Sequence, residues 1–381
     1  MDVEEYVRRR LAAGDQEVEV GQDLSAMIMT WKNATPAYAG EFSRAVVEEV
    51  KNTRNLSGDL FAFEPAGVGM GEFGVGSRGT GDFYAHRQIA RVIGSTSAEV
   101  GVGEMDDGGV VRSGAGEFIV CTVDGMHSRL SDFPFLAGFH VTRATLRDVY
   151  VMGARPVMLF SDIHVADDGD VGKIFDYTAG ITTVGDLVGV PLVSGSTLRI
   201  GGDMVLGSRM TGCVGSVGVA SHITPRRATA PGDLLLMTTG AGGGTIATAA
   251  MYSGYPDVVE STMNLDFLRA AKALVGNEVL RGVHAMTDVT NGGLRGDVHE
   301  MAATAGCRII IEEEETSRLV EPKVREMLEA LMIDYLGVSI DALLIVAPPD
   351  VISPVRDVIG KAGVESRVIG RVEEGPPASV L

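Results

Sequence analysis

The sequence predicts a chain that mixes helices and strands, with two globular domains behind a helical N-terminal extension. Three observations carry this. At 381 residues the chain has room for two or three domains. Past residue 95, apolar runs of strand length alternate with amphipathic stretches of helix length. Between two such series lies SHITPRRATAPGD, residues 221–233, whose prolines and paired arginines mark a boundary. The expected segments are 1–94, 95–222 and 223–381.

The elements follow in order. VEEYVRRRLAAG and YAGEFSRAVVEEVKNT space their apolar residues near 3.6 and read as packing helices. AGVGMGEFGVGSRGTGDFYAHRQIARVIG, residues 66–94, is a glycine loop running into a helix from Asp82, with Phe83, Ile89, Ala90 and Ile93 on one face. Such a loop can cradle phosphate with backbone N–H groups, or it is a plain surface loop. Its two GxGxxG matches, Gly69-Gly71-Gly74 and Gly74-Gly76-Gly79, lack the strand that a dinucleotide fold needs in front of them. A lysine-bearing phosphate loop is excluded, because no lysine occurs between 52 and 172.

EMDDGGVV, residues 104–111, sets Asp106 and Asp107 side by side before an apolar strand. Buried without a partner, that pair is costly, and the glycines beside it let something approach the backbone closely. EFIVCTVDGMH, 117–127, reads as a buried strand ending at Asp124, a turn aspartate or a site residue. In the helix expected over 138–152, Val141, Thr145, Asp148 and Met152 share a stripe. A carboxylate there needs an arginine (Arg143, Arg147 or Arg155) or a metal. A strand in GARPVMLFSDIHV, a helix near 171–188 and strands around the IGGD turn complete this segment.

The last segment opens with DLLLMTTGAGGGTIATAAMYSG, a strand, a glycine turn and a small-residue helix. A helix near 265–274 follows. Asp288, Thr290 and Asn291 then form a polar turn before Gly292-Gly293 and another helix. A strand through RIIIEEEE, whose Glu312–Glu315 run reads as a solvated strand end, a helix, the strand DALLIVAPP and a final helix–strand pair close the chain.

Composition narrows the function. Hydrophobic residues make up 45%, enough for real cores, and Lys+Arg against Asp+Glu is 32 − 51, a net −19. That balance disfavours nucleic acid and anionic membranes, which reward basic surfaces, and leaves room for small anions held through Mg²⁺. Cys121, Cys213 and Cys307 have no metal spacing and read as buried structural thiols. No apolar run is long enough to span a membrane, and the charged MDVEEYVRRRL start has no apolar signal core. The expectation is a soluble, cytoplasmic protein.

Several of these pieces together resemble one superfamily, the aminoimidazole ribonucleotide (AIR) synthetase-like proteins. AIR synthetase, selenophosphate synthetase, thiamine-monophosphate kinase and HypE belong to it. GEMDDGGVV, CTVDGMH, LRDVYVMGARP, APGDLLLMTTGAGGG, MTDVTNGGL and VIGRV resemble its motifs in order over roughly 95–375. The arrangement is most similar to an archaeal-type branch with a long N-terminal extension. The resemblance implies an α+β fold: a first domain that builds a β-barrel across a homodimer, and a second domain with a mixed sheet covered by helices. It implies ATP and Mg²⁺ as cofactors, and an enzyme that transfers a phosphoryl group to, or activates an oxygen of, an unidentified small molecule by kinase-like or ligase-like chemistry. The alternative is a non-catalytic nucleotide-binding sensor or assembly factor.

Carried onto this chain, the metal ligands are Asp106, Asp107, Asp124 and Asp148. The nucleotide contacts are Gly74, Gly76, Gly79, Thr80, Asp107, Asp124, Thr145, Thr197 and Thr290, and the catalytic contacts are His86, Arg78, Asp288 and Asn291. His86 also reads as a capping or packing residue. Phosphate charge would otherwise fall to Arg78, Arg129 or Arg143. One departure stands out: SGSTLR places Ser196 where relatives carry an acid, with Asp203 a candidate substitute. The glycine loop has no cysteine and GPPASVL has no terminal one, so selenophosphate and HypE-type thiol chemistry are not supported.

Overall fold

A computed structural model describes all residues except Phe63, 74–79, Ala115, Asn291 and Leu381, and of Thr80 the backbone alone. In chain order its first half contains α1 (Val3–Ala12), α2 (Glu17–Lys32), α3 (Pro36–Arg54), α4 (Met70–Phe73), α5 (Thr80–Ile93), β1 (Gly109–Arg112), β2 (Phe118–Gly125), α6 (Pro134–Val151), β3 (Arg155–Val165), α7 (Gly172–Val188), β4 (Leu192–Arg199) and β5 (Met210–Ala220). The second half contains β6 (Leu234–Thr238), α8 (Gly244–Ser253), α9 (Pro256–Thr262), α10 (Asp266–Val275), β7 (Ala285–Asp288), α11 (Gly293–Ala305), β8 (Arg308–Ile311), α12 (Glu313–Ser317), α13 (Pro322–Ala330), β9 (Leu343–Ala347), α14 (Pro349–Lys361), β10 (Ser366–Glu373) and β11 (Ala378–Val380).

The chain divides into two compact units, Met1–Val68 with Asp162–Phe175 and Ser196–Thr211, and the remainder. In the first, α1 to α3 bury Val7, Leu24, Ile28, Val46 and Val50 against one another and against Leu206. The local sequence sets the helix limits. Asp2 accepts from the Glu5 amide at 2.9 Å to start α1, and Thr35 with Pro36 starts α3. Asn33, left-handed at φ 50°, ends α2. Lys32 binds Asp167 and, at 3.0 Å, Asp168.

The second unit holds the chemistry. Its five-stranded sheet has the order β1-β2-β5-β3-β4, with the ends of β3, β4 and β5 assigned to the first unit. The six-stranded sheet has the order β11-β8-β10-β6-β9-β7. It is mixed: β11 runs parallel to β8, while the pairs β10–β8, β10–β6, β6–β9 and β7–β9 are antiparallel. Every residue of β9 is buried, as a strand covered on both faces requires. Ile246, Leu294, Val298, Val324 and Met327 from α8, α11 and α13 supply much of that core.

Several expectations are corrected. β2 is buried on one face only: Phe118, Val120 and Thr122 face the core, while Ile119, Cys121 and Val123 are exposed. Its continuous apolar run therefore does not mean burial on both sides. Cys121 is exposed and Cys213 half-buried, leaving Cys307 as the buried thiol. On α5, Ile89 and Ile93 are about half exposed and form no buried face. Glu313–Glu315 open α12, where acids favour a helix N-terminus, and Arg318 pairs with Glu314 and Glu315. α6 begins at Pro134, earlier than expected, because proline suits the first helical turn. β11 was not anticipated: three residues in a Gly/Pro-rich tail carry no periodic signal.

Candidate active site

A cleft of about 360 Å³ lies in the second unit, walled by β2, α6, α5, the segment before β1 and the turn after β7. Seven carboxylates line it: Asp106, Asp107, Asp124, Asp148, Asp288, Asp297 and Glu300. Two guanidinium groups, Arg147 and Arg226, face them.

The backbone explains the gathering. Gly108 lets the acidic turn press onto α6 and β2: a Cβ there would lie 3.0 Å from Thr122 and 3.1 Å from Met152. Asp124 rides at the end of β2, and Asp148 on the inward stripe of α6. Gly292 and Gly293, at φ 80° and 67°, turn the chain from Asp288 and Thr290 into α11. No side chain fits at Gly293, whose Cβ would come within 2.5 Å of Leu336 O.

Asp106 Oδ2 accepts from the Arg226 amide at 3.0 Å. Asp107 Oδ1 accepts from Arg226 Nη2 at 2.6 Å, and its Oδ2 from the Thr287 hydroxyl at 2.7 Å. Arg226 Nη1 donates to Met105 O at 2.8 Å. Arg147 binds Asp288 and Asp341 and lies 3.6 Å from Asp148. Thr290 donates its hydroxyl to Asp288 at 2.9 Å and its amide to Asp297 at 2.8 Å.

Burial dominates the electrostatics. It raises Asp106 despite Arg226. It pushes Asp107 up to about 7, with Asp288 and Asp106 adding to the shift and Arg226 opposing it. Asp148 stands well above the usual carboxylate range through burial, then through Asp124 and Asp288. Asp297 is raised likewise by burial, against Arg226. Asp288 is lowered: burial pushes it up, but Arg147 and the Thr290 hydroxyl outweigh this. The site holds more negative charge than its two arginines neutralise.

The cleft gathers Asp106, Asp107, Asp124, Asp148, Asp288, Thr290 and His86, the last exposed on α5. Arg87, next to His86, pairs with Glu300 on α11. Thr145 lies elsewhere, fully buried, its hydroxyl 2.8 Å from that of Thr122 between helix and strand. Thr197 and Ser196 are exposed on β4 within the first unit, and Asp203 there pairs with Arg199 at 2.8 Å. Gly74, Gly76, Arg78, Gly79 and Asn291 lie outside the described residues, as does the side chain of Thr80.

Of the arginines expected to offset charge, Arg143 is consumed by Gly242 O, Asn264 O and Asp341, and Arg129 stacks on Tyr252. Arg226, Thr287, Asp297 and Glu300 were missed. Arg226 read as a linker charge, and the two acids are spaced as ordinary helix residues.

Among the described residues, no three His, Cys, Asp or Glu groups are gathered closely enough to hold a metal as they stand. The donor chemistry nevertheless fits a hard divalent cation: all-oxygen, carboxylate-rich and short of positive charge.

The AIR synthase related protein N-terminal domain matches residues 105–217, and the corresponding C-terminal domain matches 230–381. The chain is 50% identical over 387 residues to the uncharacterized protein MJ1416 of Methanocaldococcus jannaschii, covering 98% of this chain and 84% of that one. It is 29% identical over 242 residues to a selenide, water dikinase of Myxococcus xanthus, covering 61% and 67%. The fold is similar to that of AaThiL complexed with AMPPCP and TMP, at TM-score 0.63 and 16% identity, over 78% of this chain and 93% of that one. The chain belongs to the AIR synthase related family.

Proposed function

We propose that the protein is a Mg²⁺-dependent, ATP-binding enzyme that transfers a phosphoryl group to a small molecule or activates one of its oxygens. The observation that carries this reading is the cleft itself, where seven carboxylates face two guanidinium groups. A kinase among its relatives and a nucleotide analogue bound to a protein of like fold support it. Asp106, Asp107, Asp124 and Asp148 would hold Mg²⁺, which supplies charge neutralisation at phosphate oxygens. Asp288 and Thr290 would face the ligand from the turn after β7, and Asn291 is assigned there by the family resemblance alone. His86, exposed on α5, would approach from that side, and the glycine loop with Arg78 is assigned to the phosphates by the family resemblance alone. Positioning and electrostatics carry such chemistry.

The test is Asp124→Asn. It should weaken Mg·ATP binding while leaving the unfolding temperature close to wild type; unchanged binding removes Asp124 from the site.

The partner is proposed to be a second copy of the chain. The exposed side chains of Val111, Ile119 and Val123, on the outer face of β1 and β2, support this reading.

Ser196, in place of an acid, favours a second reading, a nucleotide-binding sensor without turnover. Mg·ATP binding with no ADP release across a panel of small acceptors would select it.

A further inference from the structure

Arg226 lies between the two family-matched segments, in the stretch that joins them, and takes partners from both. It is 5% exposed. From the first segment it engages Asp107 at 2.6 Å and Met105 O at 2.8 Å, and its amide reaches Asp106 at 3.0 Å. From the second it reaches the Thr287 hydroxyl with Nη2 at 2.7 Å and Nε at 3.2 Å. Thr287 in turn donates to the other oxygen of Asp107 at 2.7 Å. Both oxygens of Asp107 are thus held by the protein.

A buried guanidinium needs a carboxylate, and a buried carboxylate pair needs a cation. A divalent cation bound to the same carboxylate would sit within a few ångströms of the guanidinium and repel it. Asp107 cannot serve both at full strength.

We propose that Arg226 is a built-in counter-ion latch. It neutralises Asp106 and Asp107 in the cation-free protein and must yield Asp107 before that residue can ligate a divalent cation, so it sets the cation affinity of the cleft. The inference rests on the Mg²⁺ reading above and adds its regulation. A released guanidinium keeps Asp297 beside it, 3.8 Å from Nη2, and gains from an anionic ligand oxygen as a further acceptor. Cation and anion uptake are therefore coupled, each tightening the other.

The test uses the full chain stripped with EDTA, and MgCl₂ alone as the probe. Unfolding temperature and calorimetric Mg²⁺ affinity are measured for wild type, Arg226→Gln, Arg226→Lys and Thr287→Val. Arg226→Gln should unfold below wild type in EDTA, recover on adding Mg²⁺, and bind Mg²⁺ at least about tenfold more tightly, the scale on which neighbouring groups tune metal sites. Arg226→Lys keeps the charge but loses the forked contacts to Met105 O and Thr287, so its Mg²⁺ affinity should stay nearer wild type than that of Arg226→Gln even where its unfolding temperature falls. Thr287→Val keeps the charge but frees one oxygen of Asp107. It should also bind Mg²⁺ more tightly, and it serves if Arg226→Gln does not fold.

A purely structural arginine would lower the unfolding temperature equally with and without Mg²⁺ and leave Mg²⁺ affinity unchanged or weaker; that outcome overturns the latch. Titration with Mg·ATP separates the two claims. If wild type binds Mg·ATP and neither variant gains Mg²⁺ affinity, the latch alone is wrong. If no form binds Mg²⁺ with or without ATP, the proposed function falls with it.

Discussion

His140 is buried whole, and its surroundings fix its state. The Thr262 hydroxyl gives its hydrogen to Val259 O at 2.7 Å, so His140 Nε2, 3.3 Å away, must be the donor to Thr262. Burial first, then Arg143 and His127, holds its pKa well below the ordinary 6.5. The sign follows by linkage: an unfolded chain takes up a proton below about 6.5 that the folded chain refuses. This residue's contribution is complete above that pH and is lost as pH falls toward the depressed value. His140→Phe should flatten the fall of unfolding temperature between pH 7 and 5 relative to wild type; an unchanged slope would assign the acid lability elsewhere. At this scale Asp106 and Asp107 were legible as candidates, because adjacent aspartates before an apolar strand demand an explanation, whereas Asp297 and Glu300 look like ordinary helix residues. Arg226 was not, since an arginine beside prolines looks the same whether it faces solvent or a buried acid.

Helices were legible from apolar periodicity, but limits such as the start of α6 at Pro134, and which helices touch, were not. Gly138 on α6 and Gly180 on α7 mark a close crossing: a Cβ would come within 2.1 Å of Tyr177 O at the first and 2.2 Å of Phe135 O at the second. Neither residue shares a motif with the other in sequence. Gly138→Ala and Gly180→Ala should each destabilise by about 1–3 kcal/mol or more, the cost of overpacking, read from the denaturant midpoint. Gly40 on α3 has nothing within 4 Å of the place an alanine methyl group would take. Gly40→Ala should be neutral or stabilising by roughly 0.5–1 kcal/mol. Equal losses at all three glycines would mean that helix contacts do not decide these effects.

For the molecule as a whole, the helix–strand alternation past residue 95 anticipated a mixed fold, and the family resemblance anticipated a mixed sheet covered by helices in its second part. A burial pattern set by what covers a sheet could not be anticipated, because an apolar run reads alike whether its second face meets a helix, another chain or water. Val111 and Ile119 are 45% and 38% exposed on that face, and such a patch is an expected contact surface. On the homodimer reading, Ile119→Asp should shift the sedimenting species from dimer to monomer; a wild-type monomer at micromolar concentration would contradict that reading. The acid cleft as a Mg·ATP site is decided by calorimetric titration with ATP, with and without Mg²⁺, on wild type and on Asp106→Asn/Asp107→Asn. Binding should require Mg²⁺ and disappear in the double variant. Binding of equal strength without Mg²⁺, or in the double variant, would contradict that assignment.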